Sequence, residues 1–132
     1  MYRFAPLALL LTLLAGCAGS ASAVEDPLPP GADTQDLVIA LERDGYIPDS
    51  GPFRVAPLLD AAGQEFRVGG STIHVFEYPS AQAAADDVGD LGVVTAPVPA
   101  TVYRSGRLAV VYFGTDTSLQ VTLSQLLGPA VL

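Results

Sequence analysis

The sequence contains very few reactive side chains. Its 132 residues include one cysteine, one histidine, one methionine and no tryptophan. A single cysteine forms no intramolecular disulfide, so the fold has to be stabilised by its apolar core. Zinc sites take three or four His, Cys or carboxylate ligands, and copper trafficking relies on clustered Met, His or Cys. The composition therefore predicts a protein without a metal cofactor.

Motifs of catalysis and nucleotide binding are also missing. The chain has no G-x-S-x-G nucleophile elbow and no glycine-rich loop of the G-x-G-x-x-G or Walker type. Its only histidine, His74, requires a neighbouring nucleophile or carboxylate for catalysis. Nothing among the fourteen acidic residues singles out the carboxylate pair of a glycosidase. We expect a protein that is not an enzyme, and a carboxylate-dependent enzyme is the alternative.

Lysine is absent, and the charge balance is acidic. All six basic residues are arginines, against fourteen Asp and Glu residues, which gives a net charge of −8. An acidic surface is repelled by phosphate backbones and by anionic lipid headgroups. The composition therefore predicts that nucleic acid is not a partner.

The first sixteen residues have the pattern of an export signal. Residues 1–3 carry one positive charge, and an apolar run of eleven residues follows from Phe4 to Leu14. A helix needs about 20 residues to cross a bilayer, so this run is too short for a transmembrane segment. Its length is typical of the apolar region of a signal peptide.

The sequence Leu14-Ala15-Gly16-Cys17, which follows at once, resembles the lipobox of bacterial lipoproteins. The resemblance implies cleavage between Gly16 and Cys17, a diacylglyceryl group on the Cys17 sulfur, and a further acyl chain such as palmitate on the new amino terminus. This covalent lipid would anchor the protein to the extracytoplasmic face of a membrane in the cell envelope. Ala18 follows the cysteine, which by the same resemblance favours the outer membrane if the host has one.

A second cleavage site is the alternative. Ala21-Ser22-Ala23 is an A-x-A pattern that ordinary signal peptidase recognises. Cleavage there would release a soluble protein that begins at Val24.

The composition changes again after the cysteine. Residues 18–33 are small, polar or proline-bearing and show no apolar periodicity, which predicts a flexible tether. We therefore divide the chain into a signal peptide at residues 1–16, a lipidated cysteine with its tether at residues 17–33, and a single domain at residues 34–132.

The domain sequence alternates between helical and strand patterns. Asp33 and Asp36 predict the capping box of a first helix, Ser80 the N-cap of a second, and Thr117 the capping box of a third. A short strand near a sheet edge is predicted over 53–57, because prolines flank it.

The first of two predicted hairpins is the strongest local signal. Gly69-Gly70 joins β-rich runs over 64–68 and 71–78 and suits a two-residue turn. The resulting register places Glu65 opposite His74.

The second predicted hairpin contains the most apolar strand. Ser105-Gly106 joins runs over 102–104 and 107–113, and in the second run both alternating sets of residues are apolar. Such a strand is covered on both faces. The elements together predict an α+β fold: a small antiparallel sheet of four or five strands with helices mostly on one face.

Five side chains are candidates for a contact surface. Tyr78, Tyr103 and Tyr112 lie on predicted strands, and His74 and Glu65 are predicted to pair across the first hairpin. An exposed aromatic face would bind an envelope protein or a glycan. Packing of the tyrosines in the core is the alternative.

Three segments of the domain carry a further resemblance. The sequences over 75–79, 103–107 and 112–116 look like those of small, uncharacterised bacterial lipoproteins. The resemblance implies an architecture and no activity. We therefore expect a membrane-anchored binding or interaction module of the cell envelope. The alternatives are a carboxylate-dependent extracytoplasmic enzyme and a structural or inhibitory accessory protein.

Overall fold

The computed structural model describes residues 27–55, 59, 61–91 and 100–132. The predicted signal peptide, Gly16, Cys17 and the first part of the predicted tether lie outside the described residues.

The described residues form one five-stranded sheet with three helices, which confirms the predicted α+β fold. Every neighbouring pair of strands is antiparallel, and the strand order is β1-β2-β3-β5-β4. In chain order the elements are α1 (Thr34–Arg43), β1 (Asp49–Val55), β2 (Ala62–Val68), β3 (Ser71–Glu77), α2 (Ala81–Leu91), β4 (Thr101–Ser105), β5 (Leu108–Phe113) and α3 (Thr117–Leu127).

The β2–β3 hairpin has the predicted turn and register. Gly69 and Gly70 both adopt positive φ angles, 57° and 83°, as a type I′ turn requires. Glu65 pairs with His74, as predicted.

The turn of the β4–β5 hairpin lies one residue later than predicted. Its two central residues are Gly106 and Arg107, and Ser105 pairs with Leu108. The physical reason is the backbone of Gly106, whose φ of 53° suits the first central position of a type II′ turn. Ser105 is thereby left in β4.

Both faces of the sheet are covered, as the apolar pattern of β5 predicts. The side chains of β5 are buried at every position except Phe113. On one face, the α1/α3 face, Leu37 and Leu123 belong to a core with Val110. On the other, the α2 face, Val88 packs in a core with Phe76. Two of the three helices therefore share a face.

Residues 28–33 belong to the folded domain, whereas the sequence predicted a flexible tether through residue 33. The Leu28 N–H donates to the Leu126 carbonyl at 2.9 Å, and Leu28 packs against the α1/α3 core. Ala32 is 3% exposed in the same core. Tertiary contacts, which the small and proline-rich composition does not reveal, fix this segment, which we call the arm.

The helix starts agree with the sequence at α1 and α2 and differ at α3. The capping box of Asp33 and Asp36 is present in α1. The N-cap of α3 is Asp116, not Thr117, and its carboxylate accepts from the N–H groups of Ser118 and Leu119 at 2.9 and 3.2 Å. A carboxylate also complements the helix dipole, which a threonine hydroxyl does not.

Strand β1 begins at Asp49, earlier than the predicted start at Phe53. Its pairing with β2 shifts by one residue between Ser50 and Phe53, so that two residues of β1 lie opposite Glu65. This β-bulge lets the strand pass through Gly51-Pro52, on the amino-terminal side of the predicted strand.

We predict that Gly106→Ala destabilises the fold more than Gly70→Ala does. Both glycines have positive φ, but a β-carbon on Gly106 would overlap the Pro30 carbonyl oxygen, whereas Gly70 has no heavy atom within 4 Å. Backbone strain alone costs about 1 kcal/mol, and overpacking against the arm adds about 1–3 kcal/mol. Urea unfolding of both variants measures the difference, and equal losses would show that the arm is not docked.

We also predict that deprotonation of the buried Tyr103 phenol contributes to a loss of stability at alkaline pH. Burial raises the pKa of Tyr103 above its ordinary value of 10.0, the Ser124 hydrogen bond lowers it, and Tyr112 raises it. The stability that this protonated phenol provides is fully present below pH 10 and is lost as the pH rises through the raised pKa. Tyr103→Phe should therefore lose less free energy of unfolding between pH 9 and pH 11 than the parent. Equal losses would contradict the assignment.

Candidate functional site

The three candidate tyrosines lie in the core, which is the alternative that the sequence left open, and they do not form an exposed contact surface. Tyr78, Tyr103 and Tyr112 are 3%, 2% and 1% exposed. Each hydroxyl has a partner: Tyr78 donates to Asp87 at 2.6 Å, Tyr103 donates to the Gln120 carbonyl at 3.4 Å, and Tyr112 accepts from the Asp116 N–H at 2.7 Å. The helices that cover the sheet enclose the rings, and neighbouring polar groups satisfy the hydroxyls.

His74 and Glu65 form a pair on the α2 face. The Nε2 atom of His74 lies 3.1 Å from Oε2 of Glu65, and the two side chains are 20% and 12% exposed. The His74 ring also meets Phe113 edge-on, with ring centroids 5.0 Å apart. Gly51 lies beside the pair, because a β-carbon there would come within 3.0 Å of Oε1 of Glu65. The absence of a side chain at Gly51 thus leaves room for the carboxylate.

This pair is a cross-strand contact between β2 and β3. Neither of the two concavities described below is lined by His74 or Glu65. Within the described residues, no group of three or more His, Cys, Asp and Glu side chains is placed to hold a metal ion. A cross-strand pair of this kind stabilises a sheet by less than about 1 kcal/mol. The geometry of His74 therefore fits a structural role.

A concave surface lies on the α1/α3 face, beside α1. Helix α1 packs over β3, and α3 packs over β4. Two adjacent concavities of about 450 and 460 Å³ open along β2. They share Thr34, Gln64 and Glu77, so they form one elongated depression, which we call the α1 groove.

Glu77 fixes the wall of the α1 groove where its two halves meet. One carboxylate oxygen accepts from the backbone N–H of Thr34 at 3.2 Å and from its hydroxyl at 3.0 Å. The other lies 3.3 Å from Nη2 of Arg107. The first turn of α1, the end of β3 and the β4–β5 turn are therefore joined at one carboxylate.

Gln64 lies at the centre of the α1 groove. Its side chain is half-buried and lines both halves. Its amide makes no hydrogen bond, ion pair or ring contact with the rest of the protein in the described structure. An amide that offers both donors and an acceptor in a depression is suited to binding another amide.

The two halves of the groove differ in chemistry. The first half contains Val75, Tyr78 and Pro79, together with the paired Arg107. The second half contains Asp33 and Glu77 and no basic residue. Both halves are open to solvent, and the apolar side chains of Val75 and Tyr78 are only 2% and 3% exposed.

Sequence reasoning did not identify this groove, although one signal for it was present. The predicted register places Gln64 opposite Val75, on the same face as Phe66 and Ile73. A glutamine on an otherwise apolar face of a strand indicates a place where the core ends. Which part of this face the helices leave uncovered depends on tertiary packing, which the sequence pattern does not show.

No protein family matches the chain, and no curated protein or solved structure shows significant similarity to it. None of the described helices combines the length and the apolar composition that a membrane span requires.

Proposed function

We propose that the protein is a lipoprotein of the cell envelope whose domain binds a partner near the membrane surface. We infer the anchoring from the sequence Leu14-Ala15-Gly16-Cys17, which stands at the end of an apolar run of eleven residues. Two acyl chains on Cys17 give stable anchoring, since each buried CH₂ contributes about 0.8 kcal/mol. The anchor is extracytoplasmic, and the outer membrane is its place if the host has one.

The α1 groove supports the binding role. It is a depression in the described surface where the half-buried Gln64 amide has no hydrogen-bond partner among the described residues. The half-buried pair of His74 and Glu65 offers a single carboxylate beside the histidine and lines neither half of this groove. Binding is therefore favoured over a carboxylate-dependent reaction.

The docked arm limits how far the domain extends from the membrane. Leu28 is fixed by its hydrogen bond to Leu126, so eleven chain steps separate it from Cys17. A fully extended chain spans at most about 3.3–3.6 Å per residue, which limits this distance to about 40 Å. The partner is accordingly expected at the membrane surface or within a few nanometres of it.

We predict that Cys17→Ala releases the protein from membranes of the cells that produce it. The thiol is the acceptor of the lipid, so alanine removes the anchor and leaves the described domain unchanged. Membrane fractionation and mass spectrometry of the mature amino terminus measure the outcome. Ala23→Leu is the matched control, because it blocks the A-x-A site and should leave anchoring unaffected.

Two results would contradict the proposal. One is a mature chain that begins at Val24, because Cys17 would then have been removed with the leader without carrying a lipid. The other is a Cys17→Ala protein that stays in the membrane fraction as fully as the parent.

A further inference from the structure

We propose that the outer edge of β4 is an interaction surface for a second copy of the chain, and that residues 131–132 keep this edge closed within one copy. The inference goes beyond the proposed function and depends on neither the lipid anchor nor the α1 groove.

Residues 131–132, which we call the 131–132 segment, pair with β4 at Val102. The N–H of Val102 donates to the backbone oxygen of Leu132 at 2.9 Å. The Val102 carbonyl accepts from the N–H of Val131 at 2.8 Å and from that of Leu132 at 3.5 Å. The side chains of the segment are 43% and 48% exposed, so backbone hydrogen bonds provide most of the contact. The segment therefore closes the edge without being part of the core.

The hydrogen bonds of Val102 define which residues of β4 face the outer edge. In the described sheet β4 is the last strand, and its one neighbour is β5. Along an antiparallel pair, residues that exchange both hydrogen bonds with the neighbouring strand alternate with residues whose N–H and C=O groups point away from it. Val102 is of the second kind, because both of its backbone groups bind the 131–132 segment. Arg104, two residues later on β4, therefore also directs its N–H and C=O groups outwards.

The outer edge of β4 lacks the features by which proteins commonly protect a sheet edge. Unpaired N–H and C=O groups at an edge are a template for another strand, and proline or a bulge prevents such pairing. The opposite edge strand, β1, has both Pro52 and a bulge. The sequence of β4 contains no proline, and its pairing with β5 is regular. The 131–132 segment thus does at β4 what Pro52 and the bulge do at β1.

A second copy of the chain is complementary to this edge. An antiparallel edge pairs with itself about a two-fold axis, which is the usual symmetry of a homodimer. With Tyr103 on the axis, Val102 of each copy lies opposite Arg104 of the other, and these are the two residues whose backbone groups point outwards. The register uses all of these groups and places no arginine opposite another arginine. It also requires the Val102 groups that the 131–132 segment occupies, so the segment and the second copy compete.

The test compares the association of chains with and without the 131–132 segment. The full chain is purified in detergent, with micelles in excess, and sedimentation equilibrium measures the dissociation constant of the dimer. Deletion of residues 131–132 should strengthen dimerisation at least tenfold over the parent. Val131→Pro removes one N–H donor of the segment and should act in the same direction, whereas Val131→Ala keeps that donor and should match the parent.

A second pair of variants identifies the edge as the interface. In the deleted chain, Arg104→Pro removes an outward N–H without removing a bond to β5, so it should weaken dimerisation at least tenfold. Arg104→Ala removes the same side chain and keeps the N–H, so it should leave dimerisation of the deleted chain within about twofold. NMR spectra of the dilute variants verify that each is folded.

Hydrogen exchange of two neighbouring amides gives a readout that needs no substitution in β4. In the dilute deleted chain, the Val102 amide should exchange at least ten times faster than in the parent. The Tyr103 amide, which faces β5, should exchange at the parent's rate. At concentrations where the deleted chain dimerises, protection of the Val102 amide should return.

Three outcomes would overturn the inference. One is equal dimerisation of the parent and the deleted chain. Another is equal dimerisation of the Arg104→Pro and Arg104→Ala variants, which would place the interface elsewhere. The third is a Val102 amide that exchanges equally fast in the parent and in the dilute deleted chain, which would show that the 131–132 segment does not close the edge.

Discussion

The structure depends on a strand that is apolar on both of its faces. Five of the six side chains of β5 are buried, and they alternate between the two cores. Such a strand is stable only inside a sheet with cover on each side, since each exposed aliphatic side chain would forfeit about 1.5–3 kcal/mol of burial. The neighbouring β3, with Ile73 and Val75 on one face and Phe76 on the other, has the same requirement.

The three short helices cover the two faces of the sheet unequally. Helix α2 packs on the α2 face, where Leu59 also belongs to the core, and α1 and α3 together cover the other face over β3 and β4. The β2 side of that second face is where the α1 groove opens, beside Gln64. The arm packs against the same core through Leu28 and Ala32. The groove and the docked arm are thus two consequences of how one core is covered.

The parts of this arrangement that depend on local chemistry were predictable from the sequence. The Gly69-Gly70 turn fixed the β2–β3 register because both residues adopt positive φ, and the two-sided apolar pattern of β5 predicted cover on both faces. The prediction was wrong by one residue at the β4–β5 turn, where Gly106 takes the first turn position instead of the second. It also missed the first part of β1, because a bulge lets the strand continue through Gly51-Pro52. The burial of the tyrosines, the docking of the arm and the position of the groove are set by packing between distant elements, which a single sequence does not display.

Native-state hydrogen exchange of the backbone amides tests most directly whether the doubly covered strands organise the fold. If they do, the amides of β3 and β5 exchange only through global unfolding, with the free energy that denaturant unfolding gives. The amides of β1, a bulged edge strand, then exchange through local openings at lower free energy. Exchange of β5 as fast as that of β1 would contradict the account.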